Sequence, residues 1–458
     1  MKQVFAAIFL LLQINGLAEV ITYQPTQNMK ADNQYIHQST EYKVEIIQQG
    51  KTYPAFVYSM NALHNTNNCK TTAWVNFSFD GEIKIRVYNL TMHHNPVKIL
   101  PRSVGIHAVE KENVTEFVIT KSGQYSVEYQ SGIRIEHPLL IFANPLEKMI
   151  PLSTDTSVIY FGPGIHSIGP KFIIPIGKKV YLHGGAYILG QLYAENTNNI
   201  EIYGRGIISG EEYAARTADH MINLKNAMDV KIEGITMIHA PRFMITLSGK
   251  KHHIDNVKMI GWWFSTDGIS AGEETLIENC FFKVNDDAIK LYQNNTEAKN
   301  CVIWQMENGA PFQMGWNGTN DYNNCYVHDI EVIRVEHEWD NENEAVICAI
   351  HGGKGHKTNF LFDGIRIDNS NWRIFHLVTK PNRWGQWNTE SGSMSNMIFR
   401  NIEMYSEQKI PSLIMGHDAK HPVHDMKFEN IIINGKKTIG ERQNFIIDKE
   451  TTWAISFN

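Results

Sequence analysis

Val230-Lys-Ile-Glu-Gly234-Ile-Thr-Met237 is an alternating apolar run, a turn former and a second alternating run, and the same unit returns along the chain. It reads Leu276-Ile-Glu-Asn279-Cys-Phe-Phe282, then Phe360-Leu-Phe-Asp-Gly364-Ile-Arg-Ile367, Met397-Ile-Phe-Arg-Asn401-Ile-Glu-Met404 and Met426-Lys-Phe-Glu-Asn430-Ile-Ile-Ile433. Alternation with a period of two is the patterning of strands. With the turn residue as register mark, Gly204, Gly234, Asn256, Asn279, Asn300, Asp329, Gly364, Asn401 and Asn430 are separated by 30, 22, 23, 21, 29, 35, 37 and 29 residues. Self-similarity at such a period signals a solenoid. Its pieces are strands, so the expected fold is a right-handed parallel β-helix. A step of 21 residues is about what one three-strand coil with tight turns requires, and the longer steps are coils with insertions on one side. Leucine-rich repeats fit worse, because no Leu/Asn consensus and no helical half accompany the strands. A β-sandwich or propeller is the alternative architecture.

Upstream the rhythm differs. Tyr42-Lys-Val-Glu-Ile-Ile47, Ala73-Trp-Val-Asn-Phe-Ser78, Ile83-Lys-Ile-Arg-Val-Tyr88 and Phe117-Val-Ile-Thr120 alternate like half-buried strands, with turns such as Asp80-Gly81 and Ser122-Gly123 between them. That pattern predicts a β-sandwich. The expected organisation is all-β: residues 19–150 a β-sandwich domain and 151–458 a parallel β-helix that carries the chemistry.

Residues 1–18 read as a secretory signal, with Lys2, the apolar run Val4–Leu12 and small residues ending in Gly16-Leu17-Ala18. No later apolar stretch is long enough to cross a bilayer as a helix. The expected product is a secreted protein, extracellular or periplasmic, without membrane insertion. A net charge of −6 over 458 residues, with no Lys/Arg-rich run, argues against a nucleic-acid partner. Five cysteines (Cys69, Cys280, Cys301, Cys325, Cys348) are too few for a disulfide scaffold, and none has zinc-site spacing. Cys280 and Cys301 each follow a register asparagine, so they are expected to stack inside the solenoid. Asn76, Asn89, Asn113, Asn294 and Asn317 each begin an N-x-Ser/Thr sequon.

The three shortest steps flank the chemistry. One coil holds Trp262-Trp-Phe-Ser-Thr-Asp267-Gly-Ile269, and the next holds Val284-Asn-Asp286-Asp287-Ala-Ile-Lys290-Leu-Tyr292. Aligning Asp267-Gly-Ile with Asp287-Ala-Ile leaves a spacing of 20 residues, close to one coil. Equivalent positions of successive coils stack about 4.8 Å apart, so Asp267 and Asp287 should lie one above the other, with Asp286 beside them. Like charges at that distance raise at least one pKa, which suits a group that must hold a proton near neutrality. Glycoside hydrolysis needs such an acid and a carboxylate that activates water. Strict alternation would point Asp286 and Asp287 to opposite faces, so a bulge or turn is required there.

Ser265-Thr-Asp267-Gly268 with Asn285-Asp286-Asp287-Ala-Ile-Lys290-Leu-Tyr292 resembles the core of glycoside hydrolase family 49, the dextranases and isopullulanases. Val302-Ile-Trp304-Gln-Met-Glu-Asn308-Gly-Ala-Pro-Phe-Gln313-Met-Gly-Trp316 resembles the segment that follows there. The Thr-Asp-Gly and Asp-Asp elements are also similar to the related polygalacturonases. The Gly-His-Gly and Arg-Ile-Lys motifs of those enzymes are not evident, which makes a uronate polymer the lesser expectation.

The resemblance implies hydrolysis with inversion, no cofactor and no metal, and an α-glucan polysaccharide of dextran or pullulan type as partner. Carried over, Asp286 is the general acid, and Asp267 and Asp287 activate water. Lys290, Tyr292, Trp304, Gln313 and Trp316 are the candidate substrate-binding side chains. Trp304 on an alternating strand fits core filling equally well, and Trp316 beside Gly315 and Asn317-Gly318 is the better stacking platform. The alternatives are a β-helical hydrolase of a galactan or uronate, and a non-catalytic glycan-binding solenoid in which the aromatics matter and the aspartates do not.

Overall fold

The computed structural model describes residues 19–25, 36–62, 70–91, 95–318, 320–338, 342–382, 392–440 and 444–458. The expected secretory signal at 1–18 and Cys69 lie outside them. Among the described residues no helix is long and apolar enough to cross a membrane.

The alternating upstream runs are strands in two sheets. Tyr42–Gln48, Ile83–Asn89 and Val114–Ile119 belong to a five-stranded antiparallel sheet. Val57–Asn61, Thr71–Phe79, Leu139–Asn144 and Gly123–Glu128 belong to a seven-stranded one, in which Leu139–Asn144 runs parallel to Thr71–Phe79. Val44, Ile46, Ile85, Val87 and Phe117 from the first sheet pack with Val75, Phe77, Val127 and Ile141 from the second in one cluster. Leu139–Asn144 is buried at every residue. Its second face looks the other way: Trp74, Leu140 and Phe142 pack with Ile260, Trp262, Phe281 and Trp304 of the later chain. A strand covered on both faces reads as a continuous apolar run.

From Val158 to Phe457 the chain forms a single 27-stranded sheet of almost wholly parallel pairs, wound as a β-helix. One column of register partners runs Ile245, Ile269, Ile289, Phe312, Ile347, Phe375 through six successive coils. Interior side chains stack in the same way: Phe362, Phe399, Phe428 and Phe457 are near-parallel rings with centroids 5.3, 5.1 and 4.9 Å apart, close to the strand spacing. Cys280, Cys301 and Cys325 are buried free thiols in this interior.

All nine register residues read from the sequence have positive φ, from Asn300 at 52° to Gly204 at 129°. That conformation costs most side chains roughly 1–2 kcal/mol, and Gly, Asn and Asp the least. The asparagines add bonds between coils: Asn430 Nδ2 donates to Asn401 Oδ1 at 2.9 Å, and Asn401 Nδ2 to Asp363 Oδ1 at 2.8 Å. A second ladder turns another corner, where Asn226 Nδ2 donates to Asn196 Oδ1 at 2.7 Å and Asn324 Nδ2 to Asn295 Oδ1 at 3.2 Å.

Buried polar groups tie the N-terminal sheets to the solenoid. Arg334 pairs with Glu128, both fully buried, and donates to the carbonyl of Gly132 at 2.7 Å. Lys258 Nζ donates to Asn144 Oδ1 and to the Asn256 carbonyl at 2.8 Å. Of the sequons, Asn76 is spent internally: it is buried and donates from Nδ2 to the Arg205 carbonyl at 2.9 Å.

Candidate active site

Ile269 and Ile289 are parallel partners, so Asp267 and Asp287 stand two residues before equivalent positions of adjacent coils. The Gly268 N–H donates to the Asp287 carbonyl at 2.9 Å. Asp286 and Asp287 fall in the bend between the strands Phe281–Val284 and Ile289–Lys290, which frees them from strand alternation. Each of the three aspartates brings a carboxylate oxygen within 4.8 Å of the others. Asp267 and Asp287 are buried and Asp286 is half-buried.

The bend is held from behind. Asn285 Nδ2 donates to the Trp262 carbonyl at 2.8 Å, and its Oδ1 accepts the Asn308 N–H at 3.1 Å. Gln305 Nε2 donates to the carbonyls of Asp286 at 3.1 Å and Asn308 at 2.6 Å. On the Asp267 side, Thr266 donates from its hydroxyl to the Ala240 carbonyl at 3.1 Å. These side chains fix backbone positions, so the carboxylates project from a rigid corner.

Lys290 is the cation of the corner. Its Nζ lies 2.7 Å from Asp267 Oδ2 and also pairs with Asp287 Oδ2. Burial alone would lower its pKa, but Asp267 and Asp287 outweigh that and hold it well above its ordinary value. Asp287 also accepts from Asn343 Nδ2 at 2.8 Å and from the Ala310 N–H at 3.2 Å. Burial pushes Asp267 up to about 7, with Lys290 pulling the other way and Asp287 adding to the rise. Asp286 accepts the Asp287 N–H at 2.9 Å and has no contact with Lys290 comparable to that of its neighbours. Burial first, then repulsion from Asp267 and Asp287, drives its pKa well above the carboxylate range. The arrangement therefore sets one carboxyl on which a proton is favoured beside two aspartates bridged by a cation, a combination suited to general acid–base chemistry.

The other sequence candidates divide. Tyr292 is half-buried over Lys290, whose Nζ is 5.4 Å from its ring, and its buried hydroxyl has no partner among the described residues. Gln313 is one coil beyond Lys290 in the same column. It is buried and linked to the corner through Asn343, the residue that also bonds Asp287. Trp316 is half-buried against Ala310, Ala345, Cys348 and Ile350. Trp304 does not join them. It is fully buried under the N-terminal sheets, its indole N–H donates to Glu336 at 2.6 Å, and Lys283 and Arg334 lie over its ring at 4.6 and 4.9 Å. It packs the junction between the two parts, which leaves it no face for a sugar.

Asn343, which bonds Asp287, and Gly309, which packs against the Asp286 peptide, are contributors that sequence reasoning did not single out. Asn343 lies in an insertion without repeat pattern, while Gly309 stood in the quoted 302–316 stretch without a distinguishing mark. A further group, His253, Asp255 and Glu278, brings three metal-capable atoms within 4.8 Å on another face. There His253 Nε2 is 2.8 Å from Glu278 Oε1, and Asn279 donates to Asp255.

The sequence model described as Glycosyl hydrolases family 28 matches residues 187–451, the solenoid from its second coil nearly to its end. A dextranase of Arthrobacter sp. (strain CB-8) is 29% identical over 218 residues, covering 41% of this chain and 34% of that enzyme. The chain thus spans about a third of the length of that relative. An isopullulanase of Aspergillus niger is 22% identical over 82% of this chain and 78% of its own. Among solved structures, Dex49A from Penicillium minioluteum superposes with a TM-score of 0.77 at 18% identity, covering 96% of this chain and 98% of that one. An exopolygalacturonase from Thermotoga maritima reaches 0.51 at 12% identity over 66% of this chain and 84% of its own. These relatives match the resemblance drawn from the aspartate motifs, and the likeness to Dex49A extends over the N-terminal sheets as well as the solenoid. With more than half of its length matched, and with an aspartate corner suited to hydrolysis, this chain belongs to the glycosyl hydrolases of family 28.

Proposed function

We propose that the protein is a secreted glycoside hydrolase that cleaves a neutral α-glucan of the dextran or pullulan type, with inversion and with Asp286 as general acid. Asp267 and Asp287 activate the attacking water. The observation that carries this reading is the unequal treatment of the three carboxylates. Lys290 bridges Asp267 and Asp287 and leaves Asp286 to hold a proton beside them. The dextranase and isopullulanase relatives support the polymer class. A neutral chain also suits the corner electrostatically, because Lys290 is already held between Asp267 and Asp287.

Residues 19–150 are read as a β-sandwich and 151–458 as a right-handed β-helix, the hand in which parallel crossovers ordinarily wind. Tyr292, whose hydroxyl has no partner among the described residues, and Trp316 are the proposed sugar contacts. Gln313 acts behind them through Asn343.

The carboxylate edges lie within 4.8 Å of one another, closer than the about 6.5–9.5 Å usual between acid and base in inverting enzymes. The stereochemistry of the first-formed product is therefore the sharpest test. Purified protein digests dextran, pullulan, starch and polygalacturonate in parallel while proton NMR follows the anomer released. Cleavage of an α-glucan with release of the β-anomer is expected. Cleavage of polygalacturonate alone overturns the substrate class, and release of the α-anomer overturns inversion.

A further inference from the structure

We infer that, of the two aspartates that together activate the attacking water, Asp267 is the one that takes its proton, while Asp287 is a fixed anion that anchors Lys290 and the corner. The inference rests on the catalytic reading given above and divides the labour within it. The two aspartates stand at equivalent positions of adjacent coils, yet their bonding differs. Asp287 Oδ1 accepts from Asn343 Nδ2 at 2.8 Å and from the Ala310 N–H at 3.2 Å, and its Oδ2 is held by Lys290. Each of those groups can only donate. A proton placed on either oxygen of Asp287 would face a donor, so protonation there forfeits bonds on a buried residue.

Asp267 is built the other way. Lys290 meets its Oδ2 at 2.7 Å, its own backbone N–H also bonds the carboxylate, and among the described residues no other side chain does. Its Oδ1 can therefore accept a proton without displacing Lys290. The charged and titratable groups facing it are Lys290, Asp286 and Asp287, with the Tyr292 hydroxyl beyond Lys290 and the Phe243 ring 5.1 Å from Lys290 Nζ closing that side. Burial sets Asp267 at about 7, where a general base is well matched to neutral conditions.

The proton balance closes. Water oxygen bonds to the anomeric carbon, its proton passes to Asp267, the glycosidic bond breaks, and the leaving oxygen takes the proton of Asp286. Product release returns the proton to Asp286 through solvent.

The test compares Asp267→Asn and Asp287→Asn, which keep side-chain shape, on the polysaccharide that the wild type cleaves. Asp267→Asn is expected to lose on the order of a hundredfold or more in kcat and to lose the acid-side limb of the kcat/KM profile. Azide, which needs no deprotonation, should restore turnover there and yield a glycosyl azide. Asp287→Asn should lose on the order of tenfold and keep the limb. That limb moves to lower pH, because the charge that raises Asp267 is gone. Should Asp287→Asn fail to fold, Asn343→Ala takes one donor from Asp287 and is likewise expected to keep the limb. A limb that survives in Asp267→Asn, or azide rescue confined to Asp287→Asn, overturns the assignment and leaves the catalytic reading standing. Wild-type turnover in both folded variants takes down the two together.

Discussion

Gly309 lies flat against the peptide of Asp286: a Cβ on Gly309 would come within 2.3 Å of the Asp286 carbonyl carbon and 2.5 Å of the Asp287 nitrogen. Its φ of +82° is also the left-handed region that side chains avoid. The carbonyl of Gly309 accepts from His337 Nε2 at 2.8 Å, and burial lowers that imidazole to about 3, so it stays neutral. The backbone of the next coil thus presses on the proposed acid with no slack between them.

Gly309→Ala is accordingly expected to displace the Asp286 bend. A shift of a fraction of an ångström in a reacting group costs on the order of tenfold to a hundredfold in kcat. The variant should fold and keep its KM within a few-fold. Unchanged kcat would show that the bend tolerates the displacement.

Asp286→Asn should abolish cleavage of the polysaccharide but retain part of the activity on a glycosyl fluoride, whose leaving group needs little protonation. The same variant tests the raised pKa through stability. The folded chain holds a proton on Asp286 that the unfolded chain has lost above the ordinary carboxylate range. Stability contributed by this group is therefore complete at low pH and falls as pH rises through the raised folded value. Asp286→Asn carries no such charge, so its Tm should exceed the wild type's at pH 8 and match it at pH 4. Equal differences at both pH values would contradict the shift.

Arg334 and Glu128 form a fully buried pair between solenoid and N-terminal sheets. Glu128→Gln or Arg334→Met alone leaves an uncompensated buried group and should cost about 3–5 kcal/mol. Replacing both by apolar residues of similar volume should cost much less. Denaturant titration of the two singles and the double supplies the coupling, and additive losses would argue against the pair.

Trp316→Ala should raise KM by about five- to tenfold and leave kcat nearly unchanged, the signature of lost binding shared by ground and transition states. Trp304→Phe, by contrast, should leave KM alone and lower Tm, since that ring packs the junction and donates to Glu336. Steady-state kinetics and a thermal melt separate the two tryptophans.

The fold was legible because its signal repeats. Asn256, Asn279 and Asn300 mark a corner that each coil must turn with positive φ, and few residue types do so cheaply. The same register carried Asp267 onto Asp287, since Ile269 and Ile289 pair as aligned. Trp304 was not legible in the same way. Alternation tells which face of a strand points outward, but not that Trp74 and Phe142 from a segment two hundred residues earlier cover that face. Asn343 escaped for a related reason: it reaches Asp287 from 56 positions along the chain, through an insertion with no period to read. The second corner, with Asn196, Asn226, Asn295 and Asn324, escaped because three of its asparagines, Asn196, Asn226 and Asn324, bend the backbone inside long continuous strands, where no break in the pattern marks the turn.

The coils between Gly234 and Asn300, at steps of 22, 23 and 21 residues, are the shortest on the register and hold the aspartates. Chain closure is cheaper for a short coil, by about 0.5 kcal/mol between 21 and 37 residues. A middle coil also has neighbours on both sides, where an end coil has one. The stretch that bears the aspartates is therefore the place where winding should begin and the last to come undone. Amide exchange should be slowest in Ile254–Gln305 and fastest toward Phe457, and the reverse order would refute it. A solenoid that unzips in this way would lose its outer turns while the aspartate corner remained assembled.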